Sequence, residues 1–408
     1  MTTPPAATFD PARTLSSRAN SADEGAIIRM AQKSRELRAK GRDVVALTVG
    51  EPDFDTPENI RDAAKEALDK GFTHYSPVAG IPELREAIAR KLLAENNLPY
   101  PASSVVLANG TKQAIANAIL SVVSPGDEVI ILAPYWVSYE ATVRLAGGTP
   151  VVLPSTIAEG YKVPAERIAA AVTPRSKLII VNSPCNPTGA VWTRAELDRI
   201  AAIVAGHPQV MVLSDEIYEY ILFDGEMTSF GSLPGMLERT ITLNGFAKGF
   251  AMTGWRLGYA AAAEPIAKAM ARMQSIVSAG ANSFVQRAAL AALAGPRDKV
   301  AEMRDAYRRR RDMVIAGLRA IPGLSIGDIP GTFYAFPDVS AFLGKAAGNT
   351  RITTPDELCD WLLEEHDLAT VPGTAFGAPT SIRLSFAASE DDIKKALTRL
   401  ASGLSMLR

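Results

Sequence analysis

Three features of the sequence predict an α/β fold with a mostly parallel central sheet flanked by helices: a series of short apolar runs, helical patterns between them, and a length and composition able to bury such a sheet. The runs are Val105 to Ala108, Val129 to Ala133, Pro150 to Leu153, Leu178 to Asn182, Val210 to Ser214 and Thr240 to Leu243. They are continuous rather than alternating, the pattern of strands covered on both faces. The segments between them, such as Thr111 to Val123, Trp136 to Ala146 and Thr193 to Ala205, have helical length and good helix formers. Strands and helices that alternate in this way pair as parallel neighbours with the helices packed across the sheet. The 408 residues suffice for two or three domains of about 150 residues each. With 47% hydrophobic and 21% charged residues, the chain fits neither a disordered protein nor a membrane bundle.

Taken in order, the chain opens with about fifteen residues rich in Thr, Pro and Ala, which read as a loose tail. They lack the basic start and apolar stretch of a signal peptide, and no apolar run approaches the ~18 residues of a membrane span. The two cysteines, Cys185 and Cys359, cannot form a disulfide framework, so a reducing, cytoplasmic setting is expected. Ile60, Ala63, Ala64, Ala67 and Leu68, behind Thr56, Pro57 and Glu58, predict a capped amphipathic helix. The strand–helix alternation then runs to Gly295-Pro296, where a charged helical stretch, Arg297 to Leu318, opens a second domain. Within that stretch Arg308 to Arg311 spread around a helix at about 100° per residue, and so read as a solvated helix rather than a nucleic-acid patch. Lys plus Arg number 43 and Asp plus Glu 44, for a net charge of −1, which removes any global attraction to nucleic acid or anionic membranes. The three histidines, His74, His207 and His366, lie far apart, and no metal site is expected.

In such a sheet, ligands sit beyond the carboxyl ends of the strands, so the polar residues that follow the apolar runs carry the chemistry. After the first run comes Asn109-Gly110-Thr111-Lys112, where a glycine at a helix start lets backbone amides approach an anion. A plain helix start has the same appearance. Neither a Walker loop nor GxGxxG occurs, which argues against a nucleotide hydrolase or a dinucleotide oxidoreductase. Leu178 to Asn182 leads into Ser183-Pro184-Cys185-Asn186-Pro187-Thr188-Gly189, and Val210 to Ser214 into Asp215-Glu216-Ile217-Tyr218. Thr240 to Leu243 leads to Lys248, a lone lysine among small and apolar neighbours whose desolvation would lower its pKa and make it a nucleophile.

The strand-end asparagine in Asn-Pro-Thr-Gly, the Asp-Glu-Ile-Tyr motif, and a lysine followed by Met252-Thr253-Gly254-Trp255-Arg256 resemble the class I/II aminotransferases of fold type I, which use pyridoxal 5′-phosphate. Val49-Gly50-Glu51-Pro52-Asp53-Phe54 and Pro134-Tyr135-Trp136-Val137-Ser138-Tyr139 resemble more narrowly the bacterial-type aspartate aminotransferases. The likeness runs collinearly over about residues 40 to 390. It implies a large cofactor domain over 51–296, and a smaller α+β domain built from 1–50 and 297–408. It implies that Lys248 holds the cofactor covalently and acts as general base, that Asp215 partners the pyridine nitrogen, and that Tyr218 and Asn186 donate to the phenolic oxygen. Trp136 matches the ring stacked on the pyridine, Gly110 and Thr111 the phosphate-binding amides, and Arg256 the phosphate's cationic clamp. Tyr75 matches a phosphate-binding tyrosine lent by the other subunit of a homodimer. Arg383 matches the fork for the substrate α-carboxylate, and Gly50 a backbone position close to substrate. Lys112 matches a lysine that pairs with a second substrate carboxylate; an exposed lysine at a helix's positive end is otherwise poorly placed.

The implied reaction is transfer of an amino group from L-aspartate to 2-oxoglutarate by a ping-pong mechanism, with small-molecule amino and 2-oxo acids as partners and no nucleic acid or membrane. Two departures bear on it. Gly245 stands where many relatives have a phosphate-binding serine, and Asp23 and Ile27 stand where the subgroup's aspartate- and prephenate-using members tend to have a lysine and a threonine. An aromatic or prephenate aminotransferase is the alternative with the same chemistry, and a lyase of the aminocyclopropane-carboxylate synthase kind the alternative from another class. A transcription regulator built on this fold is disfavoured by the charge balance and by the lack of room before Val44 for a DNA-binding module.

Overall fold

The computed structural model of the chain describes residues 10–21 and 25–408. Its helices, in order, are α1 (Ser17–Ser21), α2 (Ala26–Ala39), α3 (Glu58–Asp69), α4 (Pro82–Asn96), α5 (Thr111–Val122), α6 (Ser138–Leu145), α7 (Ala165–Ala171), α8 (Arg194–Ala205), α9 (Glu264–Val277), α10 (Ser283–Ala294), α11 (Asp298–Arg319), α12 (Pro355–His366) and α13 (Glu390–Met406). The strands are β1 (Val45–Ala46), β2 (Val105–Ala108), β3 (Glu128–Leu132), β4 (Thr149–Leu153), β5 (Ser176–Asn182), β6 (Met211–Asp215), β7 (Thr240–Gly245), β8 (Gly258–Ala261), β9 (Tyr334–Ala335), β10 (Ala346–Ala347), β11 (Thr350–Arg351), β12 (Leu368–Ala369), β13 (Val371–Pro372) and β14 (Ile382–Ser385).

Seven strands form the central sheet in the order β2-β8-β7-β6-β5-β3-β4. From β7 to β4 every pairing is parallel, and β8 runs antiparallel to both β7 and β2. The continuous apolar runs have the expected cause, since each central strand feeds two cores. Leu178 and Ile180 of β5 pack into the layer with α5 and α6, while Ile179 and Val181 pack into the opposite layer with α8. A third, larger cluster joins α3, α4 and α10 to α11, α12 and α13. The amino-terminal β1 pairs in parallel with β12, from the last part of the chain, and a small sheet of order β13-β14-β9 lies beside them.

Three expectations are corrected. The seventh strand, Gly258–Ala261, is absent from the apolar runs because Gly-Tyr-Ala-Ala is short and weak in strand propensity; only its seat between β2 and β7 makes it a strand. Helix α3 forms where the periodicity puts it, but Thr56 does not cap it. Its hydroxyl donates to the Ala251 carbonyl (2.5 Å) and accepts from the Trp255 indole (2.9 Å), and Pro57 occupies the cap position. Nor is the arginine run solvated. Arg310 is buried and grips Asp53 through both terminal nitrogens (2.7 and 2.9 Å), Arg308 donates to the Phe223 carbonyl (2.7 Å), and Arg311 pairs with Asp224. Only Arg309 of the four is exposed.

Candidate active site

Parallel register brings the polar strand ends to one edge. Asn182, last in β5, is directly opposite Asp215, last in β6. The Asn182 amide donates to the Asp215 carbonyl (2.8 Å), and its side-chain oxygen accepts from the Asn186 backbone N–H (2.8 Å), tying the Pro-rich turn to the neighbouring strand. Asp215 is buried, and its carboxylate accepts from the Tyr139 hydroxyl (2.6 Å) and the Ile217 N–H (3.3 Å). Burial pushes its pKa up to about 6 against the opposing pull of these two bonds and of Lys248. A buried carboxylate so placed is suited to a cationic N–H partner. The turn that follows is fixed from behind by Glu216, which accepts from Ser214 (2.8 Å), Ser229 (2.6 Å) and the Phe230 N–H (3.3 Å), and whose pKa burial raises to about 7.

Lys248 follows β7. Its ammonium donates to the Gly50 carbonyl (2.5 Å) and lies 5.9 Å from the ring centres of Tyr218 and of Phe333. Desolvation first, then the positive charge of Arg383, holds its pKa down to about 8, although Glu51 pulls the other way. The Tyr218 hydroxyl is 2.8 Å from that of Tyr334, and both rings are buried. Gly50 admits no side chain, because a Cβ there would overlap the Tyr334 hydroxyl.

Arg383, on β14, is 1% exposed, yet no carboxylate of the described residues pairs with it. It donates to Asn186 Oδ1 (3.0 Å) and the Thr48 carbonyl (2.6 Å), and its Nε has no partner. Its guanidinium lies over the rings of Tyr334 (4.5 Å) and Phe376 (4.8 Å). A buried cation without a counter-charge costs folding energy, and an incoming carboxylate would offset that cost.

At the start of α5, Gly110 has φ +82° and takes the cap position, a conformation that favours glycine. A Cβ there would lie 2.5 Å from Arg256 Nη2, so the guanidinium closes over the helix start. The Thr111 hydroxyl donates to the Asn244 carbonyl (3.1 Å). The Gly245 departure has a steric reason: a Cβ at 245 would sit 2.8 Å from that hydroxyl and 2.9 Å from the Gly258 Cα, so serine would not fit without displacement. Trp136 meets Tyr139 edge to face (5.5 Å), and the Lys112 ammonium lies 5.1 Å from the Trp136 ring centre. Desolvation, and then Arg256, lower the Lys112 pKa.

Tyr75 is not brought into this cluster. It is 97% exposed, nearly free of contact with its own chain, on a segment whose Ser76 donates to the Ala281 carbonyl (3.3 Å). Asp23 lies outside the described residues. Ile27 is on α2 and packs with Phe336, Val371 and Phe376, beside the aromatic wall of Arg383. Tyr139, Asn182, Phe333, Tyr334 and Phe376 belong to the cluster although the sequence assigned them no role. The first two stand in segments singled out by the sequence, in Pro134 to Tyr139 and at a strand end. Tyr334 and Phe376 had no comparable signal.

The family model for aminotransferase class I and II matches residues 42–400. An aspartate/prephenate aminotransferase of Cereibacter sphaeroides is 46% identical over 91% of this chain and 94% of its own length. The crystal structure of an aspartate aminotransferase from Rhizobium meliloti superposes with a TM-score of 0.93 at 39% identity, covering 98% of this chain and all of that one. An aspartate aminotransferase of Thermus thermophilus, solved with maleate, gives a TM-score of 0.90 at 43% identity over 95% and 99% of the two chains.

Proposed function

The chain belongs to the class I and II aminotransferase family, and we propose from that premise that it transfers the amino group of L-aspartate to 2-oxoglutarate, giving oxaloacetate and L-glutamate in two half-reactions. The observation that carries the choice of a dicarboxylate is the second cation at the site: Lys112 stands over the Trp136 ring, apart from the buried Arg383 fork. The relatives are aspartate or aspartate/prephenate aminotransferases, and the Thermus enzyme was solved with maleate, itself a dicarboxylate.

Pyridoxal 5′-phosphate is the cofactor of this family, and when bound it withdraws electrons so that negative charge at the substrate Cα is tolerated. The donor set suits it. Gly110, Thr111 and Arg256 would hold its phosphate at the positive end of α5, where the Arg256 guanidinium already closes over the glycine. Asp215 would take the ring N–H, a positive partner that offsets its burial. Trp136 would cover the ring face, and Asn186 and Tyr218 would donate to the phenolic oxygen. Lys248, with an amine partly neutral near pH 8, would hold the cofactor covalently in the resting enzyme and, once the substrate's own amine has displaced it, would be free to take the proton from substrate Cα. Arg383 fixes the α-carboxylate with parallel N–H donors, a geometry lysine cannot copy. The water-poor surroundings of these groups favour each such contact.

The test is a comparison of kcat/KM for aspartate and for phenylalanine with 2-oxoglutarate, read as glutamate formed. Lys112→Ala is expected to lower the aspartate value by about tenfold to a hundredfold, the worth of one charge-assisted contact, and the phenylalanine value much less. Equal losses would remove Lys112 as the distal-carboxylate partner, and product without glutamate would mean elimination instead.

We further assign residues 51–296 to a cofactor domain, and 1–50 with 297–408 to a smaller one, consistent with the pairing of β1 and β12. A cytoplasmic homodimer with exchanged phosphate contacts accounts for the exposure of Tyr75. Ile276 and Val277, 78% and 65% exposed, end α9 just ahead of the loop bonded to the Tyr75 segment, and would be covered with it. Two-fold symmetry makes such an exchange reciprocal. Sedimentation at assay concentration should give twice the mass of 43.4 kDa; a fully active monomer would refute the shared site.

A further inference from the structure

Tyr334 touches three of the groups assigned above, although no motif points to it. Its ring lies 4.5 Å from the Arg383 guanidinium, its hydroxyl is 2.8 Å from the Tyr218 hydroxyl, and that same hydroxyl fills the space a side chain at Gly50 would need. Gly50 in turn accepts from Lys248 (2.5 Å). The backbone leading into Tyr334 is unusual: Thr332, buried and not glycine, has φ +65°, and its hydroxyl accepts from the Tyr334 N–H (3.3 Å). Such a left-handed residue costs energy that the surrounding packing must offset.

We propose that Tyr334 is a positioning residue with two separable parts, a ring that holds the carboxylate-binding Arg383 in plane and a hydroxyl that donates to Tyr218. The second part rests on the reading that Tyr218 donates to the cofactor's phenolic oxygen. A phenol has one proton. If Tyr218 directs its own at the cofactor, its contact with Tyr334 is satisfied only when Tyr334 is the donor. A hydroxyl that accepts one bond is a stronger donor in the next, so the pair acts as a short relay onto the phenolic oxygen.

The two parts predict different variants. In the holoenzyme, Tyr334→Phe keeps the ring and loses the relay. The phenolic oxygen becomes more basic, so the pH midpoint of the bound cofactor's absorption band rises by about 0.5 to 1 unit, the shift one hydrogen bond produces. The KM for aspartate stays within about twofold, because Arg383 is still stacked. Tyr334→Leu shows the same midpoint shift and in addition raises the KM about tenfold. Tyr218→Phe serves as the reference and raises the midpoint at least as far. If Tyr218→Phe moves the midpoint and Tyr334→Phe does not, the relay is overturned while the reading of Tyr218 stands. If neither moves it, the reading of Tyr218 fails and the relay with it. If Tyr334→Leu leaves the KM at the wild-type value, the ring has no positioning role.

Discussion

Lys248→Ala is expected to fold, to take up pyridoxal phosphate without covalent attachment, and to lose at least about four orders of magnitude in kcat, the scale reached when an attached acid–base group is removed. The reason is positional. Among the described lysines, Lys248 alone stands between the Gly50 carbonyl and the Tyr218 ring, within the cluster that joins Asp215 to Arg383. Its pKa of about 8 adds a pH signature. Only the neutral amine attacks an aldehyde, so covalent capture of cofactor by the cofactor-free protein should rise about tenfold per unit up to about pH 8, then level off. An ordinary lysine would keep rising to pH 10 and beyond. Stopped-flow absorbance across that range distinguishes the two, and near-normal turnover by Lys248→Ala would end the assignment of this residue as the attached base.

Arg383→Leu is the second large effect. The guanidinium is buried, lies over two aromatic rings, has Nε unbonded, and among the described residues has no carboxylate partner. Every amino donor brings an α-carboxylate, so kcat/KM should fall for aspartate and phenylalanine alike, by about 10²- to 10³-fold, as when one member of a buried ion pair is removed. This parallel loss separates Arg383 from Lys112, whose removal should penalise aspartate selectively. Arg383→Lys should recover little, because a point charge cannot form two parallel bonds. A loss under tenfold in Arg383→Leu would mean that the substrate carboxylate binds elsewhere.

Strand-end chemistry was the most legible part of the site. Asn186, Asp215 and Lys248 each sit at or just after a continuous apolar run, and in a parallel sheet such ends converge on one edge whatever lies between them. Contacts that join distant segments left no local trace. Tyr139 reaches Asp215 across 76 positions, Arg383 reaches Asn186 across 197, and Tyr334 reaches Tyr218 across 116. Nothing in the vicinity of Tyr334 distinguishes it from a core aromatic.

The sequence by itself determined the α/β class, six of the seven central strands, the glycine-led start of α5 and the placing of a lysine, an aspartate and an asparagine at strand ends. These follow from periodicity and from the polar residue that interrupts it, both local properties of the chain. The tertiary structure decided what partnership alone can decide. Gly258–Ala261 became a strand because two neighbours needed a partner between them, and Thr56 left its helix cap for a bond to the Ala251 carbonyl. Three of four consecutive arginines were drawn inward to Asp53, Phe223 and Asp224, and Gly245 remained bare because the Thr111 hydroxyl occupies the space beside it. In each case burial changes the free energy of a polar or small residue by an amount that depends on which groups meet it. That pairing is set by the packing of segments far apart in sequence, and the local pattern does not encode it.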